Sequence, residues 1–205
     1  KQFMFLTDMY AQFLAVYRFD GEIAAPCAFF SIAWDGQWDK YKWMIDRRPK
    51  FKAEGGKRWM WVDRNGDGSV QSDEFEIFNL GYPYVKGLDV DAKGDIWVGA
   101  RSITHFKNAG IDAKGCLKYS LKDSESIPCP RDGFWDVTRM KYLPENDVMF
   151  LAGGGEFPQF NTLIRYDHWS KPDRKLTYSI TLPYEKNDKI WENHIVPAGF
   201  TVVGN

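Results

Sequence analysis

The chain has 205 residues, enough to bury a core, and its 27 basic and 28 acidic side chains nearly cancel. That balance removes any global electrostatic reason to expect nucleic acid or an anionic membrane surface as a partner. Aromatic residues make up 17% of the chain. Such side chains suit pleated, half-buried strands, so the composition points to an all-β fold. No stretch approaches the roughly 20 apolar residues of a membrane span, so no transmembrane segment is expected. The sequence opens at Lys1-Gln2-Phe3 without an initiator Met and reads as part of a longer protein, from which a leader or anchor could be missing.

Residues 3–7, 13–19 and 22–27 are short runs rich in apolar residues and bounded by turn residues, which predicts a partial repeat over residues 1–31. Residues 32–84 follow as an insertion. It carries Trp34, Trp38, Tyr41, Trp43, Trp59 and Trp61, read as a local core, with a stacking surface for a sugar or other ring as the alternative. Its basic run Arg47-Arg48-Pro49-Lys50-Phe51-Lys52 reads as a solvated loop.

Within the insertion, Asp63, Asn65 and Asp67 alternate, Gly68 follows, and Glu74 lies eleven residues after Asp63 (74 − 63 = 11). This run resembles the twelve-residue EF-hand calcium loop. Calcium takes six to eight oxygens at about 2.3–2.6 Å, and alternate side chains turn inward as such a loop wraps the ion. The expected ligands are the side chains of Asp63, Asn65 and Asp67, the Ser69 carbonyl, Gln71 through water, and both oxygens of Glu74. The alternative is a plain acidic turn, because Asn-Gly and Asp-Gly pairs are common without metal. Only the exit could start a helix, over residues 72–78 with Ser72 as N-cap, and residues 58–62 enter as a strand. The loop therefore resembles the single calcium loops of dockerin-like modules, which implies a structural ion.

Residues 85–133 hold the clearest repeat, with strands over 85–91, 96–100 and 103–107 and a fourth near 116–120. Residues 134–189 repeat it with strands over 136–143, 148–153, 162–167 and 176–182. The offset from Ile96 to Val148 is 52 residues (148 − 96). Residues 190–205 read as the start of a further copy. Four-stranded units at this period are the signature of propeller blades. Gly87-Leu88-Asp89-Val90-Asp91, Gly94-Asp95-Ile96-Trp97-Val98 and Ile103-Thr104-His105-Phe106 resemble the NHL and related β-propeller repeats. The resemblance implies a partial propeller of four-stranded antiparallel blades carrying an inserted calcium loop. A compact sandwich is the competing fold. Blades need neighbours, so further blades or neighbouring subunits are expected as partners.

Cys116 and Cys129 either close a disulfide or stay free, and the count of three, with Cys27, does not decide. His105, His168 and His194 fall on different repeats without metal-ligand spacing and read as isolated. No nucleophile elbow or phosphate loop is present.

The expected function is an extracytoplasmic calcium-binding module, extracellular, periplasmic or at the cell surface, that binds a protein or carbohydrate ligand on a propeller face or acts as a scaffold. The alternative is a propeller enzyme of lactonase or lyase type, its catalytic residues unknown, marked by carboxylates and histidines converging with perturbed pKa values.

Overall fold

The computed structural model describes residues 1–8, 10–32, 46–48, 57–80, 87–129, 136–154, 162–183 and 201–203. Thirteen strands form among them, and the only helical turns are single 3-10 turns at Ser72–Glu74 and Leu121–Asp123. The all-β expectation holds: the strands assemble into antiparallel sheets of four and five strands. No closed propeller is found among the described residues. No helix among them is long and apolar enough to cross a membrane.

The first of two units comprises residues 1–85 and 106–124. Its sheet runs β1 (Phe3–Thr7), β2 (Phe13–Asp20), β3 (Ile23–Ser31), β4 (Lys57–Val62) and β5 (Phe75–Asn79), in that order. Strands β4 and β5 come from within residues 32–84, and β4 pairs onto β3 from Ala28↔Val62 to Ser31↔Trp59. Their alternation explains why they join. Phe13, Phe29 and Trp59 stack ring on ring at centroid separations of 5.5 and 5.4 Å, and Phe75 meets Trp59 at a tilt of 58° and 5.4 Å, so the row crosses four strands. Aromatic pairs at such spacing are worth about 0.5–1.5 kcal/mol each beyond their buried area. Trp59 and Trp61 are thus core residues of a sheet. Trp34, Trp38, Tyr41, Trp43 and residues 49–52 lie outside the described residues.

The helix expected after the loop does not form. Gln71, not Ser72, precedes one 3-10 turn, and the chain then enters β5, where Trp61↔Phe75 and Trp59↔Ile77 pair. The apolar period from Phe75 is two, and pairing with β4 satisfies the backbone that a helix would have satisfied internally.

The second unit comprises residues 86–105 and 125–205. Strands β6 (Gly87–Val90), β7 (Ile96–Gly99), β8 (Ser102–Phe106) and β9 (Ser124–Pro128) make one sheet in that order. Strands β10 (Asp136–Leu143), β11 (Val148–Gly154), β12 (Thr162–Asp167) and β13 (Lys175–Thr181) make another. The fourth strand of the first sheet thus lies at 124–128 and not near 116–120. Residues 109–118 instead fold on themselves, with Ala109 N–H donating to Lys118 O and Lys118 N–H to Gly110 O, both at 2.9 Å. The Asn, Gly and Asp residues there close a separate turn before the sheet resumes.

Strand β10 packs on β6 and β7. Val137 N–H donates to Ala100 O at 3.0 Å, and Asp89 accepts from Tyr142 N–H and Lys141 Nζ, both at 2.9 Å. Gly99 permits the approach: a Cβ there would fall 2.6 Å from Val137 Cγ1. Trp97, Ile103, Val137, Leu151, Ile164 and Trp169 share one core. Of the expected further copy at 190–205, only 201–203 are described.

Candidate functional site

Strand β4 ends at Val62 and β5 begins at Phe75, so the connection between two paired strands is the acidic loop itself. Gly66 and Gly68 adopt φ of +76° and +73°, the left-handed region that only glycine enters freely. These turns fold the loop's N–H groups inward. Asp63, fully buried, accepts from Gly66 N–H at 2.7 Å through Oδ1 and from Gly68 N–H at 2.9 Å through Oδ2. Asp67 Oδ1 accepts from Ser69 N–H at 2.7 Å, and Oδ2 accepts from Gln71 Nε2 at 2.8 Å and Asn65 Nδ2 at 3.1 Å. The Ser69 N–H holds the Asp67 carboxyl below the usual carboxylate range.

Glu74 closes the loop from its far end. Buried, it accepts from Arg64 N–H at 3.0 Å through Oε1, and from Trp61 Nε1 at 2.8 Å and Gln71 N–H at 3.2 Å through Oε2. Hydrogen bonds to a charged group contribute about 1.5–3 kcal/mol each. Such a network holds the ends of the loop to each other.

The structure brings the predicted ligands Asp63, Asn65, Asp67, Gln71 and Glu74 into one hydrogen-bonded loop, and Ser69 joins through its N–H. Among the described residues no three His, Cys, Asp or Glu side chains stand together as a metal cluster. Their oxygens accept from N–H donors, and Arg18 Nη1 stands 3.6 Å from Asp63 Oδ2. The chemistry of the loop nevertheless fits a hard cation. The donor atoms of the loop are all oxygens, and three of the side chains are carboxylates. Gln71, at the ninth loop position, forms a capping box with Glu74: its side chain faces Glu74 N–H, and its own N–H donates to Glu74 Oε2. On either side of Asp63, Val62 and Arg64 line a cavity of about 410 Å³ together with Leu117, Lys118 and Tyr119.

In the second unit His105, which the sequence reads as isolated, has two carboxylate partners instead. His105 on β8 lies between two carboxylates: Nε2 is 2.8 Å from Asp95 Oδ2, and Nδ1 is 3.0 Å from Glu125 Oε1. Its ring stacks on Trp97 at 3.8 Å and 4°. Burial pushes the imidazolium down, but the Asp95 and Glu125 carboxylates overcome it and hold the pKa above the ordinary histidine value. These residues, with Tyr142, Trp169 and Arg174, line a cavity of about 260 Å³. Trp169 Nε1 is buried without a hydrogen-bond partner, and Arg174 lies 3.9 Å over the same ring.

The one local signal for this group is that Asp95 and Trp97 are two apart and so share a face of the chain at β7. Glu125 reaches His105 only through sheet order. His168 is exposed beside Asp173 at 3.0 Å, and His194 lies outside the described residues. All three cysteines are free thiols.

No known protein family matches the sequence, and no curated protein matches it.

Proposed function

We propose that this chain is a propeller-type β module, related to NHL-like repeats, whose loop 63–74 holds one structural calcium ion and which binds or scaffolds a partner outside the cytoplasm. The observation that carries the reading is the loop: Asp63 and Glu74, its first and last acidic residues, are buried at the ends of paired strands. Asp63, Asn65, Asp67, Ser69, Gln71 and Glu74 would hold the ion. Its double charge would neutralise the loop's carboxylates and tie β4 to β5. Millimolar calcium outside the cell keeps a loop of modest affinity filled, which supports the extracytoplasmic placement.

Packing of β10 on β6 and β7 supports the blade reading, because β6 and β10 are each the first strand of a four-stranded sheet. The cavity beside Val62 and Arg64 offers a protein or carbohydrate ligand a surface that the loop would order.

Calorimetric titration with calcium, paired with thermal melts with and without chelator, tests the proposal. One bound ion and a raised melting temperature are expected. A site filled at a hundredfold excess over its Kd stabilises by about 3 kcal/mol. Absence of binding would reduce residues 63–74 to an acidic turn.

A second reading, an enzyme of lactonase or lyase type, is favoured by one observation. His105, Asp95 and Glu125 converge in a cavity with the histidine pKa raised. Lactone hydrolysis by the wild-type chain and its loss in His105→Ala would support this reading. No turnover across a panel of lactones would remove it.

A further inference from the structure

Cys27 on β3 and Cys116 in the 109–118 turn are both fully buried, and their Sγ atoms lie 3.1 Å apart although the residues are 89 positions apart in sequence. That separation is van der Waals contact or closer, about 1 Å beyond a sulfur–sulfur bond. Each thiol is held from behind. Cys116 N–H donates to Asp112 Oδ1 at 2.9 Å, and Asp112 N–H donates to Cys116 O at 2.9 Å. Cys27 O accepts from Asp63 N–H at 2.9 Å.

The surroundings are not those of two inert apolar thiols. Arg18, only 7% exposed, donates through Nη1 to Cys116 Sγ at 2.7 Å and through Nη2 to Gly66 O at 3.0 Å. Cys116 Sγ also lies 3.8 Å from Asp63 Oδ2. A buried guanidinium and a buried carboxylate thus both contact the sulfur that touches Cys27.

We propose that Cys27 and Cys116 are a disulfide-forming pair that covalently joins β3 to the 109–118 turn behind the 63–74 loop. The oxidant is an external disulfide, small or protein-borne. One cysteine thiolate attacks it, forming a mixed disulfide and releasing one thiol. The second cysteine thiolate then attacks the first cysteine's own Sγ in that mixed disulfide, forming the Cys27–Cys116 bond and releasing the oxidant's remaining half as a thiol. Two cysteine thiols and one disulfide become the Cys27–Cys116 bond and two thiols, so electrons and protons balance. Both sulfurs are buried in the folded chain, which places the exchange before β3 and the turn close over them.

Cys129 stands apart as the third thiol. It packs against the core of the second unit, and burial together with the Asp136 carboxylate pushes its pKa up to about 12. Cys27 and Cys116 pair whether or not the neighbouring loop takes calcium. The bond would persist in an oxidising compartment, where the proposed module would reside.

The test is to refold the full 205-residue chain in a glutathione/glutathione disulfide buffer, denature it without reductant, alkylate it and map its peptides. One alkylated cysteine, Cys129, and a linked pair of peptides carrying Cys27 and Cys116 are expected. Cys129→Ser should keep the linked pair. Reduction should lower the melting temperature by roughly 10 °C, given the long loop closed. Three alkylated cysteines, or a linked peptide containing Cys129, would overturn the proposal. The wild-type map decides without any variant having to fold.

Discussion

The Trp61 indole N–H donates to Glu74 Oε2 over 2.8 Å, and both side chains are buried. Strand β4 thereby grips the residue that ends the loop following it. Trp61 and Phe75 are also the last paired residues of β4 and β5, so the indole and the carboxylate meet where the loop leaves the sheet.

If calcium occupies the loop, Glu74→Gln should weaken its binding by roughly tenfold or more, because a charged ligand with two oxygens is lost. Calorimetry on the variant and the wild type checks this. Equal affinities would sink the assignment of Glu74.

Trp61→Phe removes a donor from Glu74 while keeping an aromatic ring in the core. In chelator the variant should be less stable by about 1–3 kcal/mol, because a buried carboxylate loses a partner. In calcium the ion supplies the missing interaction, so the gain in melting temperature on adding calcium should exceed that of the wild type. An unchanged gain would separate Trp61 from the ion site.

His105 should make stability depend on pH. Its folded pKa lies above the ordinary value of 6.5 because the Asp95 and Glu125 carboxylates outweigh burial. A raised folded pKa means that the contribution is complete below about pH 6.5 and is lost as pH rises through the folded value. The wild-type melting temperature should therefore fall across that window, and His105→Gln should flatten the decline. A decline of the same slope in the variant would assign it to other groups.

Asp91 organises the turn before β7. Its Oδ1 accepts from Lys93 N–H at 2.8 Å and Asp95 N–H at 3.1 Å, and its Oδ2 accepts from Trp97 Nε1 at 3.0 Å. Asp91→Ala leaves a buried indole N–H and two turn amides without this acceptor, and should cost about 2–4 kcal/mol in urea unfolding. A loss under about 0.5 kcal/mol would mean that water replaces the carboxylate.

Gly99→Ala places a methyl group 2.6 Å from Val137 Cγ1 and 2.8 Å from its Cβ, so β10 must shift. Overpacking of this kind costs about 1–3 kcal/mol. Adding Val137→Ala removes the nearest atom and should recover part of the loss, measurable as a coupling in a double-mutant cycle.

The strands of the last sheet were legible almost residue by residue, since alternation over 136–143 and 162–167 and a short continuous apolar run over 148–153 are local properties of the chain. The acidic loop was legible for the same reason: Asp63, Asn65, Asp67, Gly68 and Glu74 lie within one turn of chain. What periodicity cannot carry is the choice of partner. That β4 and β5 would extend the first sheet depended on Trp59 finding Phe29 on β3, a contact between residues 30 apart (59 − 29). That the fourth strand of the next sheet would begin at Ser124 depended on residues 109–118 satisfying their own backbone first. His105 met Glu125, and Cys27 met Cys116, only after the sheets had brought distant segments side by side. Spacing along the chain encodes conformation, because backbone geometry is local. Proximity between segments is decided by which faces bury each other, and that is a property of the packed whole.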